Sequence, residues 1–412
     1  MKRSISRVAM AMALAIGATG MIAVAAPAEA AQKKKGASGQ YSKEFIAVYQ
    51  PISTKVDAGD TAVAAELPGL TATIKSPDEM LAGGQLIYNV GAKTGDQALQ
   101  YQGVKMMADS GKLPEESVGK IYLAAGQLGY NAKDYATARS YLEKAQALMP
   151  NDPQIPSLIA ETYVGEGQFQ QGLTMIEKAM AATRAAGQKV DDSVPFRGLA
   201  IAANNGLNDQ AFKWAMHVLD SSPRAEYRGE AYKVLSALSP FTKEEELDLL
   251  RLMARNDGMT VRQQYMAYLQ GADARRRPAE VKSIIDMGIA DGVLDGSSAI
   301  VSEELKVANS RMAQTLKEID ADSKNPQGAS EAMAIADVYL GYGKGAQAEA
   351  LYTKAISMGV TDKAAALTGL GIAQADQGKY AEAKATFEQI TTGNRSTLAK
   401  MWISYVNSKS AS

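Results

Sequence analysis

Few residues in this sequence have the types and spacing that catalysis or metal binding requires. His217 is the single histidine, and the chain has no cysteine. A structural zinc site needs several His or Cys ligands, and a histidine-based catalytic triad needs a nucleophile and an acid around the imidazole. The sequence around His217 offers neither, so we expect a packed or surface histidine. We predict no catalytic, cofactor-binding or metal-binding residue, and no cofactor.

Two glycine-rich stretches resemble loops that cradle a phosphate group. Residues 341–345 have the sequence GYGKG, and residues 91–95 have the sequence GAKTG. A dinucleotide-binding fingerprint follows a strand and opens a helix, whereas GYGKG lies between two helical patterns. GAKTG lacks the GK[ST] order of a P-loop. We therefore predict helix-connecting turns at both places.

Charged clusters supply two further candidates for chemistry. Arg275, Arg276 and Arg277 are the best local candidate for contact with an anionic partner, although a solvated loop between helices is the favoured alternative. The run Glu244 to Glu246 suits a helix start, because negative charge is stabilised there by the helix dipole. A glycosidase-type carboxylate pair stays open, because its members need to meet only in the folded chain.

The N-terminal residues have the pattern of a secretory signal peptide. Lys2, Arg3 and Arg7 precede an almost wholly apolar run over residues 8–24, and Ala28-Glu29-Ala30 supplies a small-x-small cleavage pattern. We predict cleavage after Ala30, a periplasmic location and a flexible basic leader over residues 31–41. A transmembrane anchor is the alternative, but the apolar run is short for a bilayer span.

The predicted mature chain is close to electrically neutral. Removing residues 1–30 removes three basic residues and one acidic residue, which leaves 41 basic and 44 acidic residues. General nucleic-acid binding needs a net basic surface, so we predict no nucleic-acid partner. No other segment is apolar enough to span a membrane, so the mature chain is expected to have no transmembrane segment.

The body of the chain repeats one spacing of small and aromatic residues. Ala145 and Ala179 hold the same place in successive units, 34 residues apart. The small residues let two antiparallel helices approach closely, and glycine supplies the positive φ that the connecting turns require. The marker residues are Gly126, Tyr135, Ala138, Leu142, Ala145 and Pro150, then Ala160, Tyr163, Gly167, Phe169, Gly172, Ile176 and Ala179, then Ala336, Tyr339, Gly343, Ala348, Tyr352 and Ala355, and finally Gly371, Gly378, Tyr380, Ala383, Phe387 and Ile390.

These units resemble tetratricopeptide repeats. The resemblance implies an all-α fold: a right-handed superhelical solenoid of antiparallel helical hairpins with a concave inner surface. The expected divisions are N-terminal hairpins over 42–118, a solenoid with degenerate middle repeats over 119–320, a polar linker over 321–330, and a C-terminal repeat pair with a capping helix over 331–412. The clearest repeats span residues 119–152, 153–186, 329–362 and 364–397.

Local signals predict several helix ends. Ser76 with Glu79, and Thr242 with Glu245, have the spacing of capping boxes. Ser298 is expected to cap a long helix that runs to residue 319. Pro51 is expected to interrupt the first helix, and Pro153 can start a helix in its first turn.

The resemblance also implies which residues face a partner. In the family, groove residues come mainly from the first helix of each hairpin. A Lys–Asn pair clamps a terminal carboxylate in one subset, but Leu123 and Gln127 stand at comparable places here. The implied groove residues are Lys120, Leu123, Gln127, Tyr130, Asn131, Gln154, Ser157, Glu161, Val164, Met333, Asp337, Leu340, Thr368, Ile372, Ala375 and Asp376.

Two functions follow from these expectations. The first is a non-enzymatic periplasmic scaffold or adaptor that binds other proteins or peptides of the cell envelope. The alternative is a carbohydrate-handling envelope protein that binds peptidoglycan or exported polysaccharide. The oligomeric state is open, because the ends of a solenoid can pair.

Overall fold

The computed structural model describes residues 41–152 and 154–410, and every regular element in these ranges is helical. The predicted signal peptide, the leader up to residue 40, and Pro153 lie outside the described residues. The described residues form two compact units, which divide between Val190 and Asp191. Within each unit consecutive helices pack in pairs, which confirms the prediction of an all-α fold built from helical hairpins.

The first unit contains eight α-helices and one short 3₁₀-helix in its described part. In chain order they are α1 (Lys43–Asp57), the 3₁₀-helix (Ala62–Glu66), α2 (Leu67–Thr73), α3 (Pro77–Thr94), α4 (Gln97–Asp109), α5 (Glu115–Asn131), α6 (Tyr135–Leu148), α7 (Gln154–Gly165) and α8 (Phe169–Ala185). The hairpins are α3 with α4, α5 with α6, and α7 with α8.

Glu79 organises the start of the first unit. Ser76 Oγ accepts from the Glu79 N–H at 3.2 Å, and Glu79 Oε2 accepts from the Ser76 N–H at 3.0 Å, which confirms the predicted capping box. Glu79 Oε1 also accepts from the N–H of Ser42, the residue that caps α1. Burial alone would raise the pKa of Glu79, but these hydrogen bonds lower it to about 2.

The repeat residues of α5 and α6 occupy the predicted positions. Ala138, Leu142 and Ala145 are fully buried, and α6 begins at Tyr135. A Cβ atom on Gly126 would lie 2.4 Å from Leu142 Cγ, so α6 can approach α5 this closely only at a glycine. Gly167 has φ +77° in the turn between α7 and α8, as expected for a helix-ending glycine.

Two local predictions in this unit are wrong. Helix α1 continues through Pro51. Proline has no N–H to donate, and α1 tolerates the loss of that one hydrogen bond because its core residues pack well. Ile52 and Tyr49, next to the proline, are both buried in the core shared with α3. Helix α3 also continues through Gly91 to Thr94, so the predicted turn over residues 91–95 is confined to Gly95, at φ +72°.

The second unit contains twelve α-helices in its described part. They are α9 (Ser193–Asn204), α10 (Asn208–Ser221), α11 (Ala225–Leu238), α12 (Lys243–Arg255), α13 (Arg262–Ala272), α14 (Pro278–Ala290), α15 (Ala299–Asp322), α16 (Ala329–Gly341), α17 (Gly345–Ser357), α18 (Lys363–Asp376), α19 (Tyr380–Phe387) and α20 (Gly393–Ser410). The residues predicted as a polar linker, 321–330, lie inside this unit, and only residues 323–328 are outside a helix, between α15 and α16.

Helix ends in the second unit follow the local signals with one exception. Thr242 and Glu245 form the predicted capping box at α12, with hydrogen bonds of 2.8 and 3.3 Å. Gly343, at φ +68°, forms the turn between α16 and α17, so the GYGKG stretch is a hairpin turn. Ser298 holds the N-cap position of α15, but its side chain makes no cap hydrogen bond, which corrects the prediction for that residue.

The last helix of the second unit packs back onto its middle helices. Helix α20 contacts α10, α12, α18 and α19. Leu398, Met401 and Trp402 on α20 are fully buried by these contacts. The C-terminal helix therefore does not simply end a linear stack of hairpins, because it also covers helices from the centre of its own unit.

Among the described residues, no helix combines the length and the apolar composition that crossing a bilayer requires.

Candidate functional site

The first helices α5 and α7 carry nine of the predicted partner-binding residues, and these helices pack side by side. None of the nine is buried. Lys120, Asn131 and Gln154 are exposed, and the remaining six are half-buried: Leu123, Gln127, Tyr130, Ser157, Glu161 and Val164. The helix periodicity therefore places all nine on the accessible side of the two helices, as the repeat positions predict.

The second helices α6 and α8 hold this surface in place from behind. Leu142 and Ala145 on α6 pack with Ile155 and Ile159 on α7 in one buried cluster. Arg139 on α6 lies over the ring of Tyr163, 4.1 Å from its centroid. Arg139 Nη2 also donates to Glu166 Oε2 at 2.7 Å. Packing and a cation–π contact thus fix α7 against the preceding hairpin.

The turn that follows α5 brings two tyrosines together at the end of the surface. Lys133 has φ +61°, a left-handed conformation that glycine usually adopts. Its N–H donates to the Tyr130 carbonyl at 2.9 Å. The rings of Tyr130 and Tyr135 lie 5.6 Å apart at an angle of 56°. An aromatic pair therefore borders the surface where α5 passes into α6.

The predicted partner-binding residues of the second unit are placed differently. Leu340, Thr368, Ile372 and Ala375 are buried, so the expectation that they line an accessible groove is corrected for these four. Helix α18 is covered because it contacts α16, α17, α19 and α20. Only Met333, Asp337 and Asp376 are at least partly exposed.

The two acidic residues of this set are engaged within the unit. Asp337 accepts from Arg277 Nη2 at 3.1 Å and from the Tyr352 hydroxyl at 2.5 Å. Asp376 forms a two-point ion pair with Arg255, at 2.6 and 2.7 Å. These carboxylates stabilise contacts between helices, and a partner would have to compete with an arginine for each of them.

A buried cluster of ion pairs lies at the centre of these contacts. Arg251 donates to both oxygens of Glu280, at 2.7 and 2.9 Å, and the Tyr268 hydroxyl donates to Glu280 Oε1 at 2.8 Å. Asp248 accepts from Arg251 at 3.1 Å and from Arg395 at 2.5 Å. Each charge thus has an opposite charge in hydrogen-bonding contact, which offsets the cost of burial.

The cluster determines the ionisation of its members. Burial alone would raise the pKa of Glu280, but the charge and hydrogen bonds of Arg251 lower it to about 2. Burial raises the pKa of Tyr268, and the neighbouring Glu280 carboxylate raises it further. At neutral pH, Glu280 is therefore an ionised acceptor and Tyr268 a neutral donor. Sequence reasoning missed this cluster, because its members are spread from residue 248 to residue 395 without a shared motif.

A cleft of about 260 Å³ opens beside the cluster. Its walls combine apolar groups such as Ile284, Met287 and Leu340 with the paired charges of Arg255, Asp376 and Glu280. Because Arg255 is paired with Asp376 and Glu280 is paired with Arg251, the cleft offers no free charged group among these residues to bind a ligand ion.

The arginine triplet is divided between two environments. Arg275 and Arg276 are exposed in the loop before α14, as a solvated loop predicts. Arg277 instead lies against Asp337, with its side chain only 11% exposed. The three residues therefore do not form one free anionic-partner site, which corrects the expectation for Arg277.

His217 packs beside Trp214, with ring centroids 5.4 Å apart. Trp214 is fully buried, so the histidine belongs to the packing of α10. In residues 41–152 and 154–410, no three His, Asp or Glu side chains are grouped so that they could hold a metal ion.

Comparison with known proteins identifies the repeat type. Residues 130–189 match the sequence family described as tetratricopeptide repeat, which confirms the resemblance. A comparison with curated proteins finds no match.

Among solved structures, the chain is similar to the TPR2AB-domain:pHSP90 complex of yeast Sti1. The identity is 15% and the TM-score is 0.26, and the match covers 71% of this chain and 99% of that chain. It is also similar to the APC/C hetero-tetramer Cut9–Hcn1, at 14% identity and a TM-score of 0.27, over 78% of this chain and 67% of that one.

Proposed function

We propose that this chain, of which residues 130–189 match the tetratricopeptide-repeat family, acts as an interaction scaffold that binds a segment of another protein on α5 and α7. The observation that carries the proposal is the accessibility of the nine predicted contact positions on these two helices. The markers of the second helix, such as Ala138 and Leu142, are buried in the stack instead. A partner can therefore reach the first helices without disturbing the core.

The chemistry of the surface suits an internal protein segment of mixed polarity. Leu123 and Val164 supply apolar contacts, while Gln127 and Asn131 supply hydrogen-bonding amides. Lys120 and Glu161 have opposite charges, so the surface does not favour one sign of ligand charge. A lysine–asparagine carboxylate clamp is absent from the comparable places, which supports binding within a chain rather than at its C-terminus.

The proposed activity is binding rather than catalysis. The buried groups of the second unit that could have done acid–base chemistry, Glu280 and Asp248, are paired with Arg251 and Arg395. Such pairs hold helices together and keep the carboxylates from acting as free bases. The surface of α5 and α7 is built from amides, hydroxyls and apolar groups, which suit recognition.

We also propose that the protein works in the periplasm, in contact with other proteins of the cell envelope. The support is the basic start, the apolar run over residues 8–24 and the Ala28-Glu29-Ala30 pattern. A cysteine-free chain needs no disulfide formation after export.

The absence of cysteine also gives a direct experiment. A single cysteine introduced as Gln127→Cys can be labelled at one place with a photo-activated cross-linker. The matched control is Glu143→Cys, which lies exposed on α6, the second helix of the same hairpin. Both variants are expressed with their own N-terminus, labelled after purification, and irradiated in a cell-envelope fraction.

The proposal expects discrete protein adducts from position 127 and none of the same mass from position 143. Adducts of equal yield from both positions would show that contact is not specific to the first helices. An absence of protein adducts from position 127, with the label intact, would contradict the proposed function.

A further inference from the structure

A groove of about 500 Å³ lies between α13 and α15 on the second unit. Both helices pack against α14, and the groove remains between them. Met266, Ala267 and Leu269 of α13 and Ile300 of α15 are among the residues that line it. Apolar side chains from two helices therefore meet in one place on the surface of this unit.

The groove leaves large apolar side chains open to solvent. Ile300, in the first turn of α15, is 55% exposed, the highest value for a large apolar side chain in the described part of the chain. Val261, which caps α13 directly before the lining residue Arg262, is 47% exposed. Met266 and Ala267 are half-buried. Neighbouring exposed apolar groups of this kind mark an interaction surface, whereas single ones do not.

This groove is separate from the surface formed by α12, α14 and α16. Arg251 on α12 binds Glu280 on α14, and α14 contacts α16. Arg255, Ile284 and Leu340 on these three helices line the cleft beside the ion-pair cluster. The groove instead lies between α13 and α15, which alternate with those helices along the chain. It is also in the second unit, whereas the proposed scaffold surface on α5 and α7 is in the first.

The dimensions of the groove fit a short helix. Its lining residues on α13 run from Arg262 to Gln270, which corresponds to about 12 Å along a helix axis. A third helix can lie between two others because its side-chain ridges fit between those of its neighbours. The peptide groups of a helix are already hydrogen-bonded to one another, whereas an extended segment would bury unpaired peptide groups against the apolar walls. The groove therefore favours a helical occupant.

Two carboxylates give the edge of the groove a negative charge. Glu304 lines the groove, one helical turn after Ile300. Asp291, in the turn that follows α14, accepts from the Tyr265 hydroxyl of α13 at 2.6 Å. This hydrogen bond holds the Asp291 carboxylate beside the first turn of α13, where Arg262 and Met266 line the groove.

The cation among the lining residues is offset by a third carboxylate. Hydrogen bonds from Ser297 lower the pKa of Asp295, and the charge of the nearby Arg262 guanidinium also lowers it. Arg262 and Asp295 are therefore close enough for their opposite charges to interact. The edge of the groove keeps an excess of negative charge from Asp291 and Glu304.

This negative charge decides between the possible occupants of an apolar groove. An anionic lipid surface would be repelled by it. The same groove of a second copy would bring like charges together. A helix with apolar residues on one face and Lys or Arg beside them complements both the walls and the edge.

We propose that the groove between α13 and α15 binds a basic amphipathic helix of another protein. The apolar face of that helix packs on Met266, Ala267 and Ile300, and its Lys or Arg side chains lie beside Asp291 and Glu304. This surface goes beyond the binding proposed for α5 and α7 and does not depend on it. The chain thus has two separate interaction surfaces of different chemistry.

The test uses two labelled synthetic peptides of about four helical turns and measures their binding to the purified protein by fluorescence anisotropy. One peptide has Leu on one face and Lys on the other, and the second has Glu in place of Lys. The Lys peptide is expected to bind saturably and more tightly than the Glu peptide. Its affinity is expected to fall as salt is added, because salt screens the charges at the edge.

The apolar contact is tested by the Ile300→Ser variant, which is expected to weaken binding of the Lys peptide roughly tenfold or more. The matched control is Met358→Ser, which removes an apolar side chain that is 43% exposed directly after α17. This control is expected to leave affinity unchanged. Because both side chains are exposed, thermal unfolding of both variants is expected to match that of the wild type.

The charge preference is tested by the Glu304→Lys variant. This change is expected to weaken binding of the Lys peptide roughly three- to tenfold and to strengthen binding of the Glu peptide. Glu318→Lys makes the same change at an exposed position near the other end of α15 and is expected to leave both affinities unchanged.

Four outcomes would overturn the proposal. The first is equal affinity for the two peptides or no saturable binding of the Lys peptide, and the second is binding that Ile300→Ser does not alter. The third is adhesion to anionic phospholipid vesicles that Ile300→Ser abolishes, which would identify a membrane as the occupant. The fourth is a dimer in sedimentation velocity that Ile300→Ser dissociates, which would identify a second copy. None of these outcomes bears on the binding proposed for α5 and α7.

Discussion

Asp248 Oδ2 accepts a hydrogen bond from Arg395 Nη1 at 2.5 Å, across 147 residues of sequence. Asp248 lies on α12 and Arg395 on α20, and both side chains are 9% exposed. This contact joins the last helix of the second unit to its centre. It explains why several positions that are accessible in an open stack of hairpins are covered here.

The Arg395→Ala variant is expected to destabilise the second unit by about 3–5 kcal/mol, because it leaves a buried carboxylate with one fewer counter-charge. Urea unfolding followed by circular dichroism measures the loss. The control is Lys282→Ala, which breaks the exposed pair with Asp286 and should cost less than about 0.5 kcal/mol. Equal, small losses for both variants would contradict a structural role of the Asp248–Arg395 pair.

Glu280 gives a pH dependence with a defined sign. Its pKa is lowered from the ordinary 4.5 to about 2, so ionised Glu280 stabilises the fold above the pKa of the unfolded chain. That contribution is lost as pH falls from about 4.5 through about 2. The difference in free energy of unfolding between wild type and Glu280→Gln should therefore be constant above pH ~5 and shrink below it. A difference that grows on acidification would contradict the assigned pairing.

Gly126 tests the close approach of α5 and α6. The Gly126→Ala variant places a methyl group against Leu142 and is expected to cost about 1–3 kcal/mol through overpacking. Gly69→Ala is the control, because a Cβ at this helical position meets nothing within 4 Å. That change should be neutral or slightly stabilising. Thermal unfolding compares the two, and a stable Gly126→Ala variant would mean that the hairpin is looser than described.

The signal-peptide prediction is tested by N-terminal sequencing of the protein recovered from the periplasmic fraction. The mature chain is expected to begin at Ala31, and Ala30→Lys should block its release, because the peptidase requires a small residue before the cleaved bond. Ala26→Gly, outside the cleavage pattern, is the matched control. Recovery of an uncleaved wild-type chain from the cytosolic fraction would count against the proposed location.

The repeats could be predicted from the sequence because their determinants are local. The spacing of Tyr135, Ala138 and Leu142 encodes one hairpin and its contact with the next, and the structure places each of them as expected. The accessible residues of α5 and α7 follow from the same positions. The capping boxes at Ser76 and Thr242 are local in the same way.

The buried positions of the second unit could not be predicted, because a repeat position indicates which face a residue is on and not what covers that face. Ile372 holds a groove position and is fully buried, since α18 is surrounded by other helices. The contact between α12 and α20 depends on residues 147 positions apart, which no local pattern links.

The central claim is that partners bind the first helices of the first unit. Hydrogen exchange of the full chain, with and without the protein captured by the Gln127→Cys cross-linker, tests it most directly. The account predicts slower exchange on binding in α5 and α7, with little change in the second helices α6 and α8. Protection confined to α6 and α8, or to the second unit, would contradict the account.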